Sequence, residues 1–544
     1  MSGASGNRGG ARSRERAAER GGALGVLLGW VMTLGLFALA LEGIFRLAGL
    51  KPVVTINAPD AEFGWSKRKG ESTRKSTSEF DVTFAINALG LRDDADLTRE
   101  KAAGTRRVLV LGDSFVLGYT VDRHDHFVDL VETGFAADGG GAGGAIQVLN
   151  GGTEGWSTDQ ELLWLRKEGF GFAPDVVVAC FFQNDVWWNG QASYAGTPKP
   201  RLKPDGTVEP IVGAMPPPRG WLATNSAIGG LLDNLSIGMK HGAAMGHREG
   251  GLSMEKDQVV ALKHPPAAVA DCWARTEACL RELRKSCDEK GTKLLFLAIP
   301  TREEVEPGAL DAWCKAVGAT REMVDPVSPA QKVLALAKKH GIATIDPQPA
   351  LAAAAKDGAK VYLEKDWHVN PAGSRVLAKE LHRALAGDAF LATGATGAGD
   401  AAIDASAAPP TSARWPWVLL GVWIALGSLY ARTNRDEPAW AAFLQVGLMV
   451  AAATGIVLGF TALVGALGPD VGRWAAIVLI GGFVIWLLAK MANKLSIIRE
   501  VYFAFLRRGH WYMIPLLVAM LSIGGLLVVA SSSPFIAPFI YTLF

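Results

Sequence analysis

The sequence predicts an α/β protein: a flavodoxin-like three-layer αβα sandwich around a parallel sheet, set between N-terminal and C-terminal transmembrane α-helices. Three observations predict it. The 544-residue chain is 49% hydrophobic, and its longest apolar stretches lie at its two ends. Its middle alternates short unbroken apolar runs with longer helix-forming stretches. The unusual polar residues of that middle fall directly after the apolar runs. Composition excludes several classes. Lys+Arg 55 against Asp+Glu 53 gives a net charge of +2, with no basic surplus for nucleic acid. A mean hydropathy of +0.19 is too apolar for a disordered chain. Five cysteines form no CxxC pair, so neither a zinc ribbon nor a disulfide scaffold is indicated.

The N-terminal end has a basic segment, 1–20, followed by a predicted membrane anchor over 21–48. Gly21–Leu41 carries no charge, and about 20 apolar residues span a hydrocarbon core of roughly 30 Å. Arg8, Arg12, Arg14, Arg16 and Arg20 precede it, which places the N-terminus in the cytoplasm. Ala38-Leu39-Ala40 also fits a signal-peptide cleavage site, although the run is longer than the usual h-region of about 7–15 residues. Either reading exports the segment that comes after it. Beyond a low-complexity Ala/Gly/Thr linker at 391–413, residues 414–544 read as a membrane region of about four helices: Trp415–Ala431, Pro438–Leu467, Ala475–Ala489 and Trp511–Ala530. Lys490, Lys494, Arg499, Arg507 and Arg508 then fall on the cytoplasmic side with Arg432 and Arg435. The expected location is a bacterial inner membrane, with the middle of the chain in the periplasm.

That middle comprises a lead-in segment, 51–105, and a domain over 106–390. Val108–Leu111, Ile146–Leu149, Val176–Phe182, Leu294–Ile299 and Ile342–Ile345 read as strands buried on both faces. Helices are expected at about Phe127–Phe135, Asp159–Lys167, Pro266–Lys290, Pro329–His340 and Pro371–Leu385. The last opens on Asn370 as N-cap and Pro371 at the first helical position. Residues 187–263, rich in Pro and Gly, break the rhythm and read as an insertion beside the site, a candidate lid. In open α/β sheets, ligands gather outside the carboxyl ends of the strands. Gly112-Asp113-Ser114, Asn150–Gly155 and Gln183-Asn184-Asp185 follow the first three strands, and Glu364–His368 precedes the final helix. All four would converge on one rim.

Their chemistry is that of acyl transfer. A serine hydroxyl attacks only when a base removes its proton, and histidine suits that task near neutral pH. A carboxylate on the other ring nitrogen fixes the tautomer and stabilises the imidazolium. Ser114, His368 and Asp366 supply these parts. The oxyanion needs donors, for which the candidates are the backbone N–H groups of Ser114 and Gly155 and the side-chain amide of Asn184. No metal or cofactor is needed.

These blocks, Gly112-Asp113-Ser114-Phe115, Gly155, Asn184-Asp185 and Asp366/His368, resemble the SGNH, or GDSL, hydrolase superfamily over roughly Arg106–Leu385. The resemblance implies the SGNH hydrolase fold and ester hydrolysis or acyl transfer through a covalent acyl-serine. Two departures stand out. Phe182 occupies the usual glycine of the third block, implying a bulkier pocket wall, and one residue, Trp367, separates acid from histidine where two are usual. The latter spacing is similar to that of membrane-linked members that O-acetylate polysaccharides, such as the alginate acetyltransferases. Asn87-Ala88-Leu89-Gly90-Leu91-Arg92-Asp93 also recurs in exported members of this type. The tail, about Leu495–Phe544, resembles a family of tiny uncharacterised bacterial membrane proteins, which implies a module that docks membrane-protein partners.

Plainer readings attach to individual residues. Ser114 alone could cap a helix, His368 could be a loop histidine, and Asn184-Asp185 could be turn residues; it is their combination that argues for a site. Gly151 and Gly152 read as plain turn glycines, and Asp113 as holding the nucleophile turn. His124-Asp125-His126 lacks an obvious third metal ligand. Cys272, Cys279 and Cys287 share one expected helix, where seven residues span roughly 10 Å, beyond disulfide reach; a bridge from one of them to Cys314 remains open. The expected function is a membrane-anchored extracytoplasmic serine esterase, with a polysaccharide O-acyltransferase as the alternative. A non-catalytic glycan-binding or assembly protein is the second alternative. Expected partners are an ester-bearing or glycan substrate and the lipid bilayer, with no nucleic acid.

Overall fold

Five apolar runs form the strands of a single parallel sheet: β1 (Arg106–Leu111), β2 (Ile146–Asn150), β3 (Val176–Phe181), β4 (Lys293–Ala298) and β5 (Ala343–Ile345). The computed structural model describes residues 56–405, apart from 77–78, 95, 140–143, 218–219, 231, 234–235, 237–245, 250, 357–358 and 395–396, together with Glu42 and parts of 420–448. The order across the sheet is β2-β1-β3-β4-β5, and all four pairings are parallel. This is the flavodoxin-like order, and it reverses direction between β1 and β3. The crevice at that switch point is where the polar blocks after β1, β2 and β3 meet.

Strand alternation divides the core in two. Leu109, Leu111, Val177, Ala179, Phe181, Leu294, Phe296 and Ala298 face one side. There they pack with residues from helices α3 (Thr158–Lys167), α5 (Ala268–Lys290) and α6 (Val327–Lys339). Val108, Val110, Val176, Val178, Cys180, Leu295 and Leu297 face the other side, with residues from α2 (Phe127–Ala137), α7 (Gln348–Lys356) and α8 (Pro371–Ala386). Both faces are apolar because both are covered, so these strands read as continuous hydrophobic runs. Helix α8 begins as expected: the Asn370 side chain accepts from Ala372 N at 2.9 Å and Gly373 N at 3.0 Å, with Pro371 behind it. Two shorter helices, α1 (Ser114–Leu117) and α4 (Asn184–Asn189), start directly after β1 and β3.

The lead-in folds into two antiparallel hairpins, Asn57–Asp60 with Gly64–Lys67 and Ser72–Ser76 with Asp81–Ala85. The stretch read as an insertion contains short hairpins and the helix Trp221–Asn225. All five cysteines are free and buried, so the open alternative of a bridge to Cys314 is not formed. Cys180 and the three cysteines of α5 serve as small core residues.

The chain divides into two units. One, residues 53–224 and 236–409, holds the parallel sheet, the helices α1–α8 and the two lead-in hairpins. The other holds, among the described residues, Glu42, those of 225–235 and those of 420–448. Within it the Glu42 carboxylate accepts hydrogen bonds from Ser226 Oγ and from Ala227 N, both at 2.8 Å. Trp423 donates through Nε1 to Phe443 O at 2.8 Å. Among the described residues no helix is long and apolar enough to cross a membrane. The expected spans at 21–48, 475–489 and 511–530, most of those at 415–431 and 438–467, and the tail at 495–544 lie outside the described residues, Glu42 apart.

Candidate active site

Ser114 is the first residue of α1, at the carboxyl end of β1. The preceding Asp113 caps that turn, its Oδ1 accepting from Phe115 N at 2.9 Å. Asp113 Oδ2 accepts from the Asn184 side-chain amide at 3.3 Å, tying the turns after β1 and β3 together. The far end of the nucleophile turn is held by Arg92, which is fully buried. Its guanidinium donates to Leu117 O at 2.7 Å, Gly118 O at 2.6 Å and Val121 O at 2.9 Å. His126 also meets this turn, with Nε2 3.0 Å from Phe115 O.

This contact network explains the Asn87–Asp93 motif. Asn87 Oδ1 accepts from the backbone of Leu89 and Leu91, both at 3.0 Å, winding the segment so that Arg92 reaches under the nucleophile turn. Asp93 Oδ2 accepts from Asn150 N at 3.2 Å, at the end of β2. Burial raises the Asp93 carboxyl to about 6 and lowers the Arg92 guanidinium to about 10.

Ser114 and His368, 254 residues apart, lie in hydrogen-bond contact: Oγ to Nε2 is 2.7 Å. His368 Nδ1 lies 2.5 Å from Asp366 Oδ1, which also accepts from His368 N at 3.0 Å. The one-residue spacing works because an aspartate side chain reaches the N–H two residues on. The same carboxylate then meets the ring. An ionised carboxylate can only accept, so the Nδ1 proton sits toward Asp366 and Nε2 is free to accept from Ser114. Burial alone would raise the Asp366 carboxyl, but the charge and hydrogen bonds of His368 pull it down to about 2. Burial opposes the charged imidazole as well. Asp366 outweighs it, with help from Asp113, and holds the ring above its ordinary value. The loop itself is pinned by Glu79, whose carboxylate accepts from the backbone N–H groups of Glu364 at 2.7 Å, Lys365 at 3.0 Å and Asp366 at 3.1 Å.

Gly155 lies on the loop after β2 with φ +74°, a conformation that favours glycine. Among the described residues neither Ser114 N nor Gly155 N is engaged by another backbone carbonyl outside helices and strands. Gly152, read from sequence as a plain turn glycine, proves to be a close-approach position. A Cβ there would lie 2.2 Å from Leu117 N, against the nucleophile turn. The carbonyls of this loop meet two residues of the lead-in hairpin. Lys67 Nζ donates to Gly151 O, Gly152 O and Thr153 Oγ1, and Trp65 Nε1 donates to Glu154 O at 2.8 Å. Burial lowers Lys67 to about 7.

Phe182 corrects the sequence reading. Instead of forming a bulkier pocket wall it is buried, 4.5 Å centroid to centroid from Phe115, which lies 4.5 Å from the His368 ring on another side. Tyr119, 5.3 Å from His368, and the half-exposed Trp367 complete an aromatic surround of the imidazole. Lys75 Nζ sits 3.6 Å over the Tyr119 ring. Asp185 is fully buried, its Oδ2 accepting from Thr158 Oγ1 at 3.2 Å. It belongs to a buried acidic cluster with Asp113, Asp159 and Glu161, where Lys199 pairs with Asp159 at 2.5 Å. His124-Asp125-His126 disperses: Asp125 pairs with Arg375 at 2.5 Å, and no group of three metal-ligating side chains occurs among the described residues.

Residues 263–406, which include Asp366 and His368, match the model of an SGNH hydrolase-like domain of the acetyltransferase AlgX. Residues 495–544 match a family of unknown function, DUF5989. No curated protein matches. Solved structures that resemble this one include a catalytic mutant of an acetylxylan esterase from Geobacillus stearothermophilus, 15% identical over 54% of this chain and 99% of that chain, with a TM-score of 0.28. A lipase/acylhydrolase from Enterococcus faecalis is 18% identical over 52% and 95%, with a TM-score of 0.27. A GDSL-like lipase from Bacteroides thetaiotaomicron is 14% identical over 54% and 92%, with a TM-score of 0.25.

Proposed function

We propose that this chain is a membrane-anchored, extracytoplasmic SGNH-type serine enzyme that breaks an ester through an acyl-serine intermediate. The single observation that carries the reading is the hydrogen-bonded line from Ser114 Oγ through the His368 ring to the Asp366 carboxylate. As His368 Nε2 takes the hydroxyl proton, Ser114 Oγ attacks the ester carbonyl. Asp366 holds the tautomer and stabilises the imidazolium. The N–H groups of Ser114 and Gly155 and the Asn184 amide receive the developing oxyanion. His368 then protonates the leaving oxygen, and a second nucleophile resolves the acyl-serine by the reverse sequence.

Water as that nucleophile makes the protein an esterase; a glycan hydroxyl makes it an O-acyltransferase. The match of 263–406 to an acetyltransferase domain favours the second outcome, as does the one-residue spacing between Asp366 and His368. Incubation with p-nitrophenyl acetate, with and without oligosaccharide, separates the two. Acetyl recovered on sugar identifies the transferase, and free acetate alone the esterase. Ser114→Ala should abolish both, a loss on the order of 10⁴-fold or more, and should leave the fold intact. Undiminished turnover in that variant would overturn the reading, and absence of Ser114 labelling by a fluorophosphonate would favour the non-catalytic alternative.

The membrane part of the proposal rests on the apolar segments at both ends and their flanking arginines and lysines. It expects a cytoplasmic N-terminus, a periplasmic catalytic domain and a tail that meets other membrane proteins. Protease added to spheroplasts should cut at 406–413, beyond the helix Gly397–Ala405 that packs on the domain; protection there would refute this orientation.

A further inference from the structure

We propose that the lead-in strand Gly64–Lys67 is a positioning element of the oxyanion hole, in which Trp65 and Lys67 together aim the Gly155 N–H into the cleft. The inference rests on the reading of Gly155 as an oxyanion donor. Neither residue belongs to a recognised block, and both lie about 90 residues upstream of the loop they hold.

The geometry begins with strand alternation. Residues two apart on a strand point to the same face, so Trp65 and Lys67 share one side, and each is only 7% exposed. Trp65 Nε1 donates to Glu154 O at 2.8 Å. Glu154 O and the Gly155 N–H belong to one planar trans peptide unit, whose C=O and N–H point in opposite directions. Holding the carbonyl on Trp65 therefore turns the Gly155 N–H away from the hairpin. Lys67 fixes the approach to that peptide. Its Nζ meets Gly151 O at 3.3 Å, Thr153 Oγ1 at 2.9 Å and Gly152 O, so the three donors of the ammonium match three acceptors on one loop. Among the described residues Lys67 forms no ion pair with a carboxylate.

The lock is reciprocal. Trp156, just beyond Gly155, donates its own Nε1 to Trp65 O at 2.9 Å. The Trp65 ring lies 5.5 Å from Tyr194, and a Cβ on Gly155 would come within 3.1 Å of that same tyrosine. The Gly155 peptide is thus bounded by Trp65 and Tyr194, while the loop before it is tied to the nucleophile turn by Thr153 N donating to Gly112 O at 3.0 Å. Both oxyanion backbone donors are referenced to one rigid frame.

The test uses the full chain with p-nitrophenyl acetate. Trp65→Phe removes the indole N–H and keeps an aromatic ring; Lys67→Met removes the charge and keeps most of the stem. Each should lower kcat by about 10-fold to 100-fold, because a small misplacement of a reacting group is enough for such a loss. KM should stay within about twofold, since the donors act on the tetrahedral state more than on the bound ester. Unchanged kcat in Trp65→Phe, or a loss borne by KM alone, would overturn the proposal. If Lys67→Met fails to fold, the kcat–KM split of Trp65→Phe decides. Ser114→Ala, run in parallel, separates the two levels. If it is inactive while Trp65→Phe and Lys67→Met keep full kcat, only the positioning role fails; if it is active, the site itself is misread.

Discussion

The two halves of the proposed catalytic rim are built differently. The half that carries the proposed nucleophile, Gly112–Gly118 with the loop after β2, is embedded in the protein. Its carbonyls are held by Arg92 and Lys67, its turn is capped by the buried Asp113, and Gly152 packs against its backbone. The acid–histidine half, Glu364–His368, lies nearer the surface, with the Asp366 side chain 26% and the His368 side chain 13% exposed. Its backbone N–H groups from 364 to 366 rest on one carboxylate, that of Glu79. The difference teaches where precision is required. A nucleophile and its oxyanion donors must keep their places while charge develops between them, and buried bonds with few alternatives supply that rigidity. In the proposed reaction the imidazole exchanges protons with two partners in turn. Two contacts with Asp366 and an aromatic surround are enough to orient it.

The largest predicted effect that sharpens this contrast comes from Asp366→Asn. It should lower kcat by on the order of 10³–10⁴-fold, as expected when the tautomer is no longer enforced. In the unaltered protein the ascending limb of kcat/KM against pH should lie above the ordinary histidine value of 6.5, because Asp366 raises His368; in Asp366→Asn it should move down. A limb that does not move would separate Asp366 from the imidazole. The same pair has a signature in stability, with opposite signs for its members. His368, raised on folding, contributes fully below its unfolded value, and that contribution is lost as pH rises through its folded value. Asp366, lowered to about 2, contributes above its unfolded value of ~3.9, and that contribution is lost as pH falls through about 2.

Asn184→Ala should lower kcat by about 10²–10³-fold, the usual result of losing one oxyanion donor. It also deprives Asp113 of a partner, so its unfolding temperature is to be measured alongside; a loss of turnover explained entirely by unfolding would remove Asn184 from the oxyanion hole. Arg92→Leu and Glu79→Gln probe the two halves directly. The first leaves three buried carbonyls without their donor, at about 1–3 kcal/mol each, and should destabilise the fold strongly as judged by chemical denaturation. The second keeps an acceptor oxygen on a partly solvated loop. It should cost under about 1 kcal/mol and reduce kcat less than tenfold. Equal destabilisation by the two would erase the distinction between an embedded and a surface half.

Much of this was readable from residue order. Apolar runs at Val108, Ile146, Val176, Leu294 and Ile342 marked all five strands to within two residues, because a strand covered on both faces leaves an uninterrupted hydrophobic signature. Asn370-Pro371 marked the start of α8. Ser114, His368 and Asp366, which the structure brings into one hydrogen-bonded line, could be singled out because Ser114 directly follows β1 and the other two closely precede α8. Phe182 was misjudged as a pocket wall because whether a side chain just past a strand points into the crevice or beneath it depends on its neighbours, here Phe115. Gly152 was underrated because its constraint is a steric encounter with Leu117, 35 positions away.

By itself, then, the sequence determined the alternation of elements and the parallel sheet and singled out the groups proposed to do the chemistry, since each of these comes from local periodicity or residue type. Only the tertiary structure decided which distant groups act on one another. Trp65 and Lys67 against the Gly155 loop, Glu79 beneath Asp366 and Arg92 under the nucleophile turn are contacts between a lead-in segment and loops up to 287 residues away. A lysine or tryptophan in an antiparallel hairpin carries no local sign of the carbonyl it will meet. That assignment is made when the hairpin packs against the rim and every buried carbonyl there must find a donor.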